Sequence, residues 1–300
     1  MIKHRLIIFK SSLFYPIIYL MKLHLLLFLF ICFTSCKQQK KAEEEATVER
    51  KIDKIKKSEI QTIIDKADDN GSIVIYNLTK DTYYSNNFDW ALQGKLPAST
   101  FKITNTIIGL ETGVIESDST IFKWDGEQKW LDLWEQDLVL RDAFQFSCVP
   151  CYQSVASKIG PQQMNQYVNK LQYGNLKIDD SNITDFWLEG ESRINQMQQI
   201  DFLKRFYTNK LPISKRTTKI VKTILLIDEN SAFTLSGKTG LSIANNQYNG
   251  WFVGYIEVGH DVYFFATNLE PKSDTINIHE FNAIRKEATI SALKTIHTIS

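Results

Sequence analysis

The spacing of apolar positions changes along the chain, and each change marks an element. Ile52, Ile55, Ile60, Ile63 and Ile64 recur at helical spacing, which predicts an amphipathic helix over about 50–66. Asp68-Asp69-Asn70-Gly71 reads as a turn. Ser72 to Leu78 is β-rich, Thr79-Lys80-Asp81 turns and Thr82 to Tyr84 returns, so a hairpin is expected. An apolar run from Ile103 to Leu110 predicts a helix opening at Ser99 and ending at Gly113. Between 114 and 225 helical spacing dominates: Lys123-Trp124-Asp125-Gly126 suggests a turn, Leu138 to Phe146 a helical approach to Ser147, and 196–227 further helix. The period then becomes two. Ala232–Ile243, Gly250–Val258 and Val262–Asn268 read as strands, with turns at Asn245-Asn246 and Gly259-His260-Asp261, and Ile278–Ile296 closes as an amphipathic helix.

Strands at both chain ends with helices between predict an α+β fold. One antiparallel sheet would be built from both ends and flanked by helices, with a mostly helical second lobe and a site between the two. No internal repeat is found. Three hundred residues suffice for one large domain or two small ones, and the aromatic-rich composition is that of a folded globular protein.

The charge balance is +1, but residues 1–35 hold Lys3, Arg5, Lys10 and Lys22 and no acid. Without them 31 basic residues face 34 acidic ones, a net charge of −3, and no clustered basic surface points to nucleic acid. From Met21 the chain has a charged start, an apolar core from Leu25 to Phe33 and then Thr34-Ser35-Cys36. That is a secretory signal, and the cysteine after Phe-Thr-Ser resembles a bacterial lipobox with Cys36 as the lipidated residue. The core is too short for an ordinary membrane span. Met21 as the true start is preferred over one long uncleaved anchor, because Lys22 and His24 interrupt the apolar run. The expected organisation is a signal segment at 1–35, a lipidated Cys36 with a charged tether at 36–58, and a two-lobed domain at 59–300. Location is then the bacterial cell envelope, periplasm-facing and held to the membrane through Cys36. Lys51, Lys54, Lys56 and Lys57 could touch anionic lipid, although a solvated helix face is the simpler reading. Cys148 and Cys151 form a C-x-x-C without a second pair or nearby histidines, so no metal site is expected. Two small buried hydrophobes is the plainer reading, and a disulfide stays open in an oxidising compartment.

The candidate chemistry starts at Pro97-Ala98-Ser99-Thr100-Phe101-Lys102. On a helix, Ser99 and Lys102 lie one turn apart on one face. A hydroxyl needs a base to become a nucleophile, and a lysine serves only when burial has lowered its pKa. A second S-x-x-K, Ser291 to Lys294, has no partner motif after it and is taken as chance. Three further elements fit an acyl-transfer site. Ser147-Cys148-Val149 offers a second hydroxyl that could relay a proton, or a plain helix cap. Lys238-Thr239-Gly240, on a predicted strand, could bind a carboxylate, with glycine allowing close approach to the backbone. Arg285, on the closing helix, could add a forked carboxylate contact.

The order S-x-x-K, S-x-V, K-T-G resembles the penicillin-recognising serine enzymes. Asp137–Ala143, Ser147–Pro150, Tyr173-Gly174-Asn175, Phe186–Gly190 and Gly250–Gly254 narrow the resemblance to class D, oxacillinase-type β-lactamases, over about residues 60–298. The resemblance implies hydrolysis of β-lactam antibiotics, hence antibiotic resistance, through an acyl-enzyme on Ser99. Lys102 would be the general base, as a carbamate formed with carbon dioxide; no other cofactor is expected. It also implies that Ser147 shuttles a proton, Val149 shields the carbamate, and Trp187 donates its indole N–H to it. Lys238, Thr239 and Arg285 would hold the substrate carboxylate, and the backbone N–H groups of Ser99 and Leu241 would form the oxyanion hole. The partners implied are small β-lactams and a membrane, with oligomeric state open. A non-hydrolysing penicillin sensor and a transpeptidase acting on cell-wall peptides are the alternatives, with a non-catalytic binding lipoprotein behind them. Against the sensor, His279-Glu280 is not followed by the second histidine of a zinc-protease H-E-x-x-H.

Overall fold

A computed structural model of the chain describes residues 52–244, 247–273 and 277–296. The signal segment, Cys36, the tether up to residue 51 and the Asn245-Asn246 turn lie outside the described residues.

One seven-stranded sheet organises the molecule. Its strands are β1 (Asp53–Lys56), β2 (Asp69–Asn77), β3 (Thr82–Ser85), β6 (Leu226–Glu229), β7 (Thr234–Ala244), β8 (Gln247–Val258) and β9 (Asp261–Pro271), in the spatial order β1-β3-β2-β9-β8-β7-β6. The N-terminal hairpin joins the C-terminal meander where β2 pairs antiparallel with β9, so the sheet is built from both chain ends as the changing period implied. All pairs are antiparallel except β1 with β3. A two-stranded ribbon, β4 (Ile121–Phe122) with β5 (Leu138–Val139), lies apart.

Alternation along the strands sorts the core into two layers. Val74 and Tyr76 of β2, Trp251, Val253 and Tyr255 of β8, and Phe264 and Ala266 of β9 face the helical lobe. Ile73, Ile75, Phe252, Ile256, Phe265 and Leu269 face the opposite way, onto helices α1 (Ser58–Lys66) and α8 (Ile278–Thr295). Both faces of the central strands are therefore covered, which explains their long uninterrupted apolar stretches. The helical lobe contains α3 (Phe101–Thr112), α4 (Leu140–Gln145), α5 (Val149–Leu171, broken at Gly160-Pro161), α6 (Gln196–Tyr207) and α7 (Lys215–Leu225); the one-turn α2 (Phe88–Ala91) precedes them. Every residue of α3 from Phe101 to Leu110 is buried, the polar Lys102, Thr104, Asn105 and Thr106 included. Gly113 ends it at φ 77°, a left-handed cap that suits glycine.

Four local expectations need correction. Residues 53–56, read as helix and tether, form an edge strand with all four side chains exposed. Pairing to the free edge of β3 outweighs helical spacing there, and the helix starts only at Ser58. The Asp68–Gly71 turn is tighter than expected: Asp68 is left-handed, at φ 56°, and Asp69 already pairs with Pro271. The 196–227 stretch splits at 208–214, where Pro212 stands, and its last residues become β6. Cys148 and Cys151 are joined by a disulfide rather than standing as two separate hydrophobes.

Candidate active site

The sequence around Ser99 is shaped by a one-turn 3-10 segment, Ala98–Thr100, that leads into α3. Ala98 sits at φ 51°, a left-handed conformation that costs a non-glycine residue about 1–2 kcal/mol. Its neighbours hold it there. The Ala98 N–H donates to the Trp187 carbonyl at 2.7 Å, and its side chain is fully buried. Thr100 anchors the other side: its hydroxyl donates to the Pro97 carbonyl at 2.6 Å and accepts from Gln199 Nε2 at 2.9 Å, with the Tyr173 hydroxyl at 3.5 Å. Ser99 is thus clamped at both flanks.

Lys102, one turn on, donates from Nζ to Ser99 Oγ at 2.8 Å. It is 1% exposed, and Tyr152 presents its ring face 5.3 Å from Nζ. No carboxylate pairs with it among the described residues, so burial alone acts on it and lowers its pKa to about 7. A good fraction of Lys102 is therefore the free amine at neutral pH.

A second serine–lysine pair lies beside the first. Lys238 Nζ donates to Ser147 Oγ at 2.7 Å and to the Thr239 carbonyl at 3.0 Å. Burial lowers the Lys238 pKa strongly, and the charges of Lys102, Arg285 and Lys286 push it the same way. Ser147 is not a helix cap. It is left-handed at φ 57°, and Cys148 caps α5. Val149 opens that helix, half-buried against the cluster of Trp134 and Leu138.

Strand β7 joins the two pairs. Lys238 and Gly240 are two residues apart and share one face. A Cβ added at Gly240 would lie 3.1 Å from the Thr100 N and 3.2 Å from the Ala98 Cβ. The close approach that glycine allows is therefore to the turn carrying Ser99, a different partner from the substrate that its motif suggested. Gly240→Ala is expected to push that turn away, lowering kcat/KM at least about tenfold and stability by about 1–3 kcal/mol; steady-state kinetics and thermal unfolding check both.

The penicillin binding protein transpeptidase domain family matches residues 57–289. The β-lactamase OXA-48 of Klebsiella pneumoniae is 39% identical over 218 residues, covering 72% of this chain and 81% of its own. The crystal structure of the class D β-lactamase YbXI from Nostoc superposes with a TM-score of 0.76 at 39% identity, over 80% of this chain and 99% of that one. The regulatory protein BlaR1 of Bacillus licheniformis matches at 32% over 210 residues, 70% of this chain but 35% of its length. The chain belongs to the class D β-lactamases.

Within that family's site, the structure brings Ser99, Lys102, Ser147, Lys238 and Gly240 into one cluster, with Val149 and Thr239 at its edge. Leu241 follows in β7, paired with Gly250. Trp187 lies under the same turn: its ring stacks on Phe101 at 5.7 Å and meets Phe186 edge-on at 5.0 Å. It is fully buried, and its indole N–H has no hydrogen-bond partner among the described residues. A buried donor left unmade is costly, so this one is suited to an acceptor that the bare side chains do not provide.

Arg285 is 3% exposed, and its pKa is lowered to about 10 by burial. Its guanidinium donates to the Gly240 carbonyl, to the Trp251 carbonyl at 3.4 Å, to the Phe281 carbonyl at 3.3 Å and to Asn282 Oδ1. It braces the K-T-G strand from α8 and adds positive charge behind it. The motifs alone did not point to Gln199, Tyr152 or Thr106, whose hydroxyl bonds the Tyr152 hydroxyl at 2.7 Å. Each acts on the site from a different helix, and only the packing of α3, α5 and α6 puts them together.

Proposed function

We propose that this enzyme, a class D serine β-lactamase, opens the β-lactam ring by acylation of Ser99 and releases the product by hydrolysis. The single observation that carries the reading is the pairing of Ser99 with a buried lysine whose pKa is near 7. Such a lysine can be the base a hydroxyl needs.

Substrate carboxylate would meet the positive charge of Arg285 behind the strand, with Lys238 Nζ and the Thr239 hydroxyl as hydrogen-bond partners. Ser99 Oγ attacks the lactam carbonyl as Lys102 takes its proton. The bond from carbonyl carbon to ring nitrogen breaks, and Ser147, held by Lys238, passes a proton to that nitrogen. The backbone N–H groups of Ser99 and Leu241 would bind the oxyanion. Lys102 gives its proton on to Ser147, which restores both groups; water then attacks the ester, Lys102 takes the proton it loses, and the carbonyl carbon–Oγ bond breaks as that proton returns to Ser99.

Carboxylation of Lys102 by carbon dioxide fits these residues. The amine is substantially neutral, as addition requires, and the unmade indole N–H of Trp187 offers a donor to a buried anion. So modified, the lysine would supply an anionic oxygen base at the Ser99 hydroxyl. The Thr34-Ser35-Cys36 pattern supports lipidation at Cys36 and a position facing the periplasm.

A chromogenic cephalosporin tests the reading. Steady turnover after any burst is expected. One stoichiometric burst without turnover would indicate a sensor or transpeptidase, and no burst a binder; either defeats the hydrolase reading.

A further inference from the structure

The site serine Ser147 is followed directly by a disulfide. Cys148 and Cys151 are bonded across the first turn of α5, with Cα atoms 5.4 Å apart. Ser147 itself holds a left-handed backbone, which has to be enforced from both sides. Upstream it is well anchored. The Ser147 N–H donates to the Phe144 carbonyl at 3.1 Å, the Cys148 N–H to the Ala143 carbonyl at 2.9 Å, and Trp134 Nε1 to the Phe146 carbonyl at 3.0 Å.

Downstream, the N–H groups at the start of α5 find few acceptors, as at any helix start. Pro150 has no N–H to give. The Cys151 N–H finds only the Cys148 sulfur at 3.2 Å, a weak acceptor, and the Tyr152 N–H reaches the Cys148 carbonyl at 3.4 Å. What closes this turn is the covalent bond. It ties the neighbour of Ser147 to the neighbour of Tyr152, whose ring lies against Lys102. One bond thus touches the flanks of both serine–lysine pairs. Cys148 is buried, Cys151 is half-buried, and a cavity of about 370 Å³ lies against them, lined also by Trp134, Pro150 and Lys158. A small thiol can approach from that side.

We propose that the Cys148–Cys151 disulfide is a redox-sensitive clamp that positions Ser147 for catalysis, so that a dithiol lowers turnover and reoxidation restores it. The inference rests on the hydrolase reading above. A dithiol thiolate attacks the Cys151 sulfur, the Cys148–Cys151 bond breaks, and Cys148 leaves as a thiolate that takes a proton from water. The second thiol of the reagent then displaces Cys151, yielding a cyclic disulfide and two cysteine thiols; two electrons pass from reagent to protein. The first turn of α5 then keeps its backbone hydrogen bonds but loses its covalent tie, and Ser147 moves off Lys238.

The full chain, air-oxidised, is assayed before and after dithiothreitol, and again after reoxidation. Alkylation and peptide mapping report the state of residues 148 and 151. Reduction is expected to lower kcat about tenfold, with a much smaller change in KM and an unchanged far-ultraviolet circular dichroism spectrum. Reoxidation should restore kcat, and Cys151→Ala should be impaired from the start and indifferent to the reductant. The proposal falls if both cysteines are alkylated after reduction while kcat is unchanged, if Cys151→Ala still responds to the reductant, or if lost activity accompanies a lost spectrum. Mass spectrometry of the acyl adduct on Ser99 separates the two levels. An oxidised enzyme that forms no adduct overturns the hydrolase reading itself and this inference with it. An adduct that forms equally fast in both redox states, with turnover equal, overturns only the clamp.

Discussion

Ser99→Ala is expected to lower β-lactam turnover by about four orders of magnitude or more, with stability lowered by no more than about 1–3 kcal/mol, the cost of the hydrogen bond that Lys102 loses. The asymmetry follows from what Ser99 touches. Its Oγ accepts one hydrogen bond, from Lys102, and its main chain is held by Ala98, Thr100 and Gly240, none of which depends on the hydroxyl. The fold loses little, while the reaction loses the atom that carries the acyl group. A slow substrate should leave an acyl adduct on Ser99 of the parent enzyme and none on the variant. Full activity in the variant, or an adduct on another residue, would remove Ser99 from its role.

The second large effect concerns Lys102. Burial lowers its pKa to about 7, so the protonated form gains at the expense of the free amine as pH falls through that value. Only the free amine can take a proton or add carbon dioxide. Activity should therefore fall about tenfold per unit below pH 7, and depleting carbon dioxide at constant pH should lower it further, with recovery on adding bicarbonate. Trp187→Phe keeps the stacking on Phe101 but removes the unmade N–H. It should weaken carboxylation and slow deacylation about a hundredfold, more than acylation. Carbon-13 NMR with labelled bicarbonate reads the modification directly. An active sample at neutral pH without a carbamate signal would leave Lys102 working as a free amine.

The two effects come from different kinds of information. Ser99, Lys102, Ser147 and Lys238 were legible in the chain because each sits in a short motif whose internal spacing is a local property. The strands were legible too, since the Val74/Ile75 and Phe252/Val253 alternations record two covered faces. Local patterns misled where a partner elsewhere decided the outcome. Ile52 and Ile55 have helical spacing, but the open edge of β3 draws residues 53–56 into a strand. Nothing near Cys148 in the sequence separates a disulfide from two buried thiols; the first turn of α5 does, by bringing the two cysteines within bonding reach.

The sequence by itself determined the motif order, the α+β succession of elements and the family. Each depends on neighbours a few residues apart or on an order along the chain. Tertiary structure alone decided which atoms meet. Gly240 is set against the Ser99 turn, and Arg285 behind the K-T-G strand. Gln199 supports Thr100 from another helix, and the Trp187 N–H is buried without a partner. Those facts join residues up to 142 positions apart, as Ala98 and Gly240 are, and no local preference encodes such a contact. Packing does, because a buried lysine acquires its pKa, and a buried donor its need for an acceptor, only when distant segments exclude water from them.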